Sequence, residues 1–123
     1  MTHCEKHLVD VVTDSSGDFV GYTGVLTGLL NRIHFDNTNL DSGNDISITI
    51  EDTGESLWIQ NNVSSDSVIA PRTSTHISSG ATATYASGGE TVKDKIAIAN
   101  SRIKIVIAQG GSVKTGKFYI YLE

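Results

Sequence analysis

Two stretches of this chain alternate with period two. Ile46-Ser47-Ile48-Thr49-Ile50-Glu51 puts three isoleucines on one face, and Ile103-Lys104-Ile105-Val106-Ile107 repeats the arrangement. Each reads as a strand with a buried face. Clusters of turn formers separate such runs: Asp14 to Asp18, Asp36 to Asn39, Asp41 to Asp45, Asp52 to Glu55, Ser78 to Gly80, Ser87 to Gly89 and Gln109 to Ser112. The pattern predicts strands at His7 to Thr13, Phe19 to Thr23, Leu29 to Phe35, Ile46 to Asp52, Leu57 to Gln60, Thr82 to Tyr85, Lys95 to Ala99, Ile103 to Ala108 and Lys117 to Leu122. The last two are expected to pair with each other. Gln109 to Gly116 would connect them, with Gly110, Gly111 and Gly116 free to adopt angles that other residues resist. The longest irregular stretch, Asn61 to Ser79, holds the single proline, Pro71, and is a candidate contact loop.

Good helix formers never gather into an amphipathic run. Without crossover helices the strands are expected to pair mainly antiparallel, giving an all-β fold: an antiparallel β-sandwich of jelly-roll or Greek-key type. With 123 residues and 38% hydrophobic content the chain can close one core without metal or disulfides. The expected organisation is an N-terminal arm, residues 1–10, which only partly follows the strand pattern and could reach a neighbouring subunit, and a single sandwich domain, residues 11–123.

Charge narrows the partners. Nine Lys and Arg against fourteen Asp and Glu give a net charge of −5, so no basic field exists to hold a phosphate backbone and no nucleic-acid partner is expected. No apolar run approaches the roughly 20 residues that span a bilayer, so no membrane partner is expected either. The opening MTHCEKHLVD lacks the basic and apolar regions of a secretory leader, and the single Cys4 cannot form an intrachain disulfide.

Several short patterns suggest chemistry, and each has a simpler reading. Ser101-Arg102-Ile103-Lys104 and Lys114-Thr115-Gly116 match two motifs of serine β-lactamases, but S-x-x-K works on a helix, where the lysine returns to the serine one turn later. In a strand, positions i and i+3 point to opposite faces, and the third motif is missing. His3-Cys4-Glu5-Lys6-His7 offers soft-metal ligands, yet His34 and His76 lie elsewhere with no second Cys or His beside them, so a fourth zinc ligand is lacking. The acidic run Asp36 to Asp45 fails the EF-hand spacing, which leaves a solvated turn or a looser calcium site. No nucleophile elbow, Walker loop or dinucleotide fingerprint is present. The chain is therefore expected not to be an enzyme and to need no cofactor.

Aromatic residues remain. Tyr119 and Tyr121 alternate with Phe118, Ile120 and Leu122, and Tyr and Trp favour interfaces. Together with the N-terminal residues they give a candidate interface set of His3, Cys4, His7, Trp58, Tyr119 and Tyr121.

Thr27-Gly28-Leu29-Leu30, the run Ile48 to Trp58, Ala70-Pro71-Arg72 and the ending Arg102 to Gly111 with Lys114-Thr115-Gly116 together resemble a family of small tailed-phage virion proteins encoded near the major capsid protein. The resemblance covers most of the chain after about Val11. It implies no catalytic residues. It implies a capsid decoration, or cement, protein on the virion surface, made in the bacterial host cytoplasm, with the major capsid protein and copies of itself in a homotrimer as partners. A neck, tail or head-fibre component and a glycan-binding module are the alternatives.

Overall fold

The computed structural model describes residues 4–123. Ten strands follow in order: β1 (Glu5–Val12), β2 (Phe19–Tyr22), β3 (Leu26–Asp36), β4 (Asp45–Ile50), β5 (Ser56–Gln60), β6 (Ser67–Ile69), β7 (Arg72–Ser74), β8 (Lys93–Ser101), β9 (Ile103–Ala108) and β10 (Thr115–Leu122). All pairings are antiparallel. One sheet runs β1-β10-β3-β8-β7, with β6 also on β3, and the other runs β2-β9-β4-β5. The molecule is the expected all-β antiparallel sandwich. Successive strands repeatedly change layers, a winding compatible with the jelly-roll alternative.

Period-two alternation builds the core. Ile46, Ile48 and Ile50 of β4 and Ile103, Ile105 and Ile107 of β9 face Leu30, Ile33 and Phe35 of β3 and Phe118, Ile120 and Leu122 of β10, all buried. Phe35 and Phe118 lie opposite each other in the β3–β10 register and stack with ring centroids 4.9 Å apart. Trp58, from the other layer, meets both edge-on at 6.3 and 6.4 Å. Such offset and edge geometries suit the ring quadrupoles and add to the area buried.

Four expectations change. Ile103–Ala108 and the last strand are placed much as predicted, but they do not pair: β9 sits in the four-stranded sheet and β10 in the six-stranded one. Each carries a single apolar face, and both faces are buried by lying opposite each other across the core. The connection turns the chain between layers with positive φ at Gln109, Gly111 and Val113, so two of the three reversals fall on residues other than glycine. At Gly111 (φ 89°) a Cβ would also meet the Asp41 carboxylate at 2.6 Å.

Residues 5–10 are not an arm. They begin β1 and pair with Lys117 to Leu122, because alternate side chains of Glu5–Val12, Val9 and Val11 among them, complete the buried face. The irregular stretch from Asn61 to Ser79 contains β6 and β7, whose three-residue lengths escape a pattern search. Thr82 to Tyr85, predicted as a strand, forms only isolated bridges, His76 with Thr82 and Thr84 with Thr91, in a projection where no residue from 72 to 95 is buried.

The ring cluster makes a measurable claim. Phe118→Ala should destabilise the fold by roughly 3–5 kcal/mol, read as a lower urea midpoint in Trp58 emission; a loss below about 1 kcal/mol would show that the stack is dispensable.

Candidate functional site

Register places the outward side chains of the six-stranded sheet in rows. Leu8, Tyr119, His34 and Val68 form one cross-strand row over β1, β10, β3 and β6. Lys6, Tyr121 and Arg32 form the next, and Asp10, Lys117 and Asp36 flank the first row on its other side. The alternate residues Val9, Phe118, Phe35 and Ile120 are buried, which is why this set faces out.

The rows touch. The His34 and Tyr119 rings stack at 5.4 Å with 25° between planes, and Lys6 Nζ sits 5.2 Å from the Tyr119 centroid, within cation–π range. Leu8 is 49% and Val68 59% exposed at the two ends of the central row. Where β3 meets β10, a bulge leaves Asn31 without a register partner, since Arg32 pairs with Tyr121 and Leu30 with Leu122. Asn31 Oδ1 accepts a hydrogen bond from Arg32 Nε at 3.0 Å. Beside the bulge lies a groove of about 320 Å³ lined by Cys4, Asn31, Arg32, His34, Val68 and Tyr121.

Three of the six expected interface residues meet here: Cys4, which is exposed, and the half-buried Tyr119 and Tyr121. His34, Arg32, Leu8 and Val68 were missing from the expectation, because strand pairing is what brings them together. His7 lies on the other face of β1, half-buried, with Nε2 3.4 Å from Glu5 Oε2. His3 lies outside the described residues. Trp58 is a correction. A bulge at Leu57, where Ile48 pairs with Trp58 but Thr49 with Ser56, lets both Leu57 and Trp58 point inward. Trp58 is 7% exposed, and its Nε1 donates to Gln60 Oε1 at 3.0 Å.

The motifs that resembled catalysis are spread over the fold. Ser101 ends β8 in one layer and Lys104 lies on β9 in the other. Ser101 Oγ accepts from the Asp52 N–H at 3.2 Å and donates to the Arg102 carbonyl at 3.3 Å. The Lys114 N–H donates to Thr13 Oγ1 at 2.8 Å, and Asn39 Oδ1 accepts the Thr115 N–H at 2.7 Å, so Lys114-Thr115-Gly116 clasps two loops. At the same layer crossing as Ser101, Arg102 pairs with Glu51 at 2.6 Å and lies 4.1 Å from the Tyr22 ring centroid. The hydrogen bond to Glu51, ahead of that carboxylate's Coulombic pull, raises the guanidinium above its ordinary pKa.

The polar run 36–45 also acts structurally. Asn37 Oδ1 accepts from Leu40 N–H at 2.8 Å, and Asp45 Oδ1 accepts from Asn62 N–H at 3.1 Å. Asn44, fully buried, donates through Nδ2 to the carbonyls of Asp41 (2.8 Å) and Val63 (2.6 Å). Among the described residues no group of three His, Cys, Asp or Glu side chains is arranged to hold a metal ion.

No protein-family model and no curated protein matches this chain. A solved structure titled "Crystal Structure of FLHE" matches with a TM-score of 0.47 and 6% identity, covering 99% of each chain. A likeness at that level carries no activity, ligand or partner across. No family model or curated relative ties the chain to phage particles, and the capsid decoration function expected from the sequence is withdrawn. The neck, tail and head-fibre alternatives, the virion location, the capsid partner and the trimer rested on the same resemblance, and no comparison bears on them. The glycan-binding alternative loses the tryptophan from its aromatic platform, since Trp58 is in the core, and keeps only the tyrosines.

Asn44 gives the local test. Asn44→Ala removes the side-chain donor to two loop carbonyls, of which that of Asp41 keeps the Asn44 N–H at 3.1 Å, and should cost about 1–3 kcal/mol in urea unfolding, while millimolar calcium leaves the Tm of the unaltered protein where it was. A calcium-dependent rise in Tm would show that the 36–45 loop holds an ion rather than a set of side-chain clasps.

Proposed function

We propose that this chain is a non-catalytic protein-binding module whose docking face is the outer surface of the six-stranded sheet. The observation that carries the reading is the continuous row Leu8–Tyr119–His34–Val68 with Tyr121, Arg32 and Lys6 beside it. Tyr and Arg are enriched in interfaces because they combine a large contact area with directional polar ends, and the Tyr119 ring here is already restrained by its stack on His34. That ring has little side-chain entropy left to lose on binding.

The charges point to a kind of partner. Lys6 and Arg32 flank the two tyrosines in a chain that is acidic as a whole, so the face favours a protein segment that presents carboxylates beside apolar side chains. The outer face of the four-stranded sheet is the competitor. Its central row, Val20–Val106–Ser47–Ile59, is broken by a serine and has no aromatic member, although Ile59 is 64% exposed.

Site-specific photo-crosslinking compares the two faces. A benzophenone amino acid replacing Val68 should give discrete protein adducts in the cells that make the protein, and the same residue replacing Ile59 should give none. Tyr119→Ser, which keeps the inward residues, should abolish the Val68 adducts. Adducts from Ile59 alone, or none from Val68, would overturn the reading.

A further inference from the structure

β1 has a second asset besides its outward face: an open backbone edge. Among the described residues it is the terminal strand of the six-stranded sheet and pairs only with β10, along an uninterrupted register from Glu5 to Val12. The ladder continues past the strand, where the Thr13 N–H donates to the Lys114 carbonyl at 2.9 Å. Antiparallel ladders alternate, so Val11, Val9 and His7 turn their backbone groups toward β10, and Lys6, Leu8, Asp10 and Val12 turn theirs outward. Exposed edges are normally blunted by shortness, proline, a bulge or charged side chains, lysine above all. The other sheet shows two of these devices: β2 has only four residues, and β5 is interrupted by the bulge at Leu57. β1 has eight residues, no proline and no bulge, and its charges include the oppositely signed Lys6 and Asp10.

We infer that β1 pairs antiparallel with β1 of a second copy across a two-fold axis at Leu8, joining the two six-stranded sheets into one. The side chains select both the occupant and the register. With Leu8 opposite Leu8, Lys6 of each copy stands opposite Asp10 of the other, giving two opposite-charge pairs around an apolar centre. Moving the axis to Lys6 sets Lys6 against Lys6, and moving it to Asp10 sets Asp10 against Asp10, both unfavourable for directly opposed residues. An axis at Val9 puts Asp10 against Leu8. The segment Lys6–Asp10 is therefore complementary to itself in one alignment, which is the requirement of an isologous interface. The contact uses the strand's edge and does not depend on the function proposed above.

Charge reversal tests this register. Over a micromolar-to-millimolar series, sedimentation should show a monomer–dimer equilibrium. Lys6→Asp and Asp10→Lys each turn two attractive contacts per dimer into repulsive ones and should each weaken association by about tenfold or more. The double variant Lys6→Asp/Asp10→Lys should dimerise again, and an equimolar mixture of the two single variants should form a heterodimer. Leu8→Pro removes an outward N–H while leaving the β10 ladder intact, and should give a monomer whose circular dichroism matches the parent. A monomer at every concentration, a trimer, or a dimer indifferent to both single reversals would overturn the proposal, as would failure of both the double variant and the mixture to recover. None of these outcomes bears on the Val68 crosslinks, so edge and face are judged separately.

Discussion

The stack of Phe35 on Phe118, closed from the other layer by Trp58, is the contact on which the rest of this structure depends. The two phenylalanines are direct register partners of β3 and β10, so their contact fixes how those strands align. Alignment decides the outer face. Tyr119 stands opposite His34, and Tyr121 opposite Arg32, only because Phe118 stands opposite Phe35. A slip of one residue would exchange inner and outer sets along the whole strand. The exposed chemistry is thus a consequence of the buried packing.

The sequence was most legible where alternation was strict. β9 falls on Ile103–Ala108 as the periodicity predicts, and β1, β4, β5 and β10 lie within two or three residues of expectation. Pairing was less legible. β9 and β10 are neighbours in sequence and each has one apolar face, which suits a hairpin and a layer crossing equally well. The crossing is set by positive φ at Gln109 and Val113, residues that carry no such signal. Trp58 misled because one extra residue, Leu57, inverts the alternation of β5. Of the candidate site, Tyr119 and Tyr121 could be read from one strand, whereas His34, Leu8 and Val68 join them from three others.

Short motifs failed for a related reason. A chain rich in Ser, Thr and Asn must satisfy backbone groups wherever it leaves one layer for the other, and those side chains do so here. Thr13 Oγ1 donates to the Gly111 carbonyl at 2.6 Å and accepts the Lys114 N–H. Thr23 Oγ1 accepts the buried Ile103 N–H at 3.0 Å, and Asn44 holds two carbonyls. Buried backbone groups left unpaired are costly, so hydroxyls and amides at the crossings serve the fold before any ligand. The serine of the apparent catalytic motif is one of them.

Face and edge meet in β1. Lys6 and Leu8 contribute side chains to the outer rows and backbone groups to the open edge, while Val9 and Val11 seal the core. One strand therefore carries three constraints at alternating positions. If two copies join along it, the Leu8–Tyr119–His34–Val68 row of each runs into that of the other, and a partner with two suitable segments would meet both at once. The second contact then forms at an effective concentration set by the rigid sheet rather than by diffusion, so modest affinity at each row becomes tight binding overall. The length and regularity of β1, a liability in a monomer, are what such an arrangement requires.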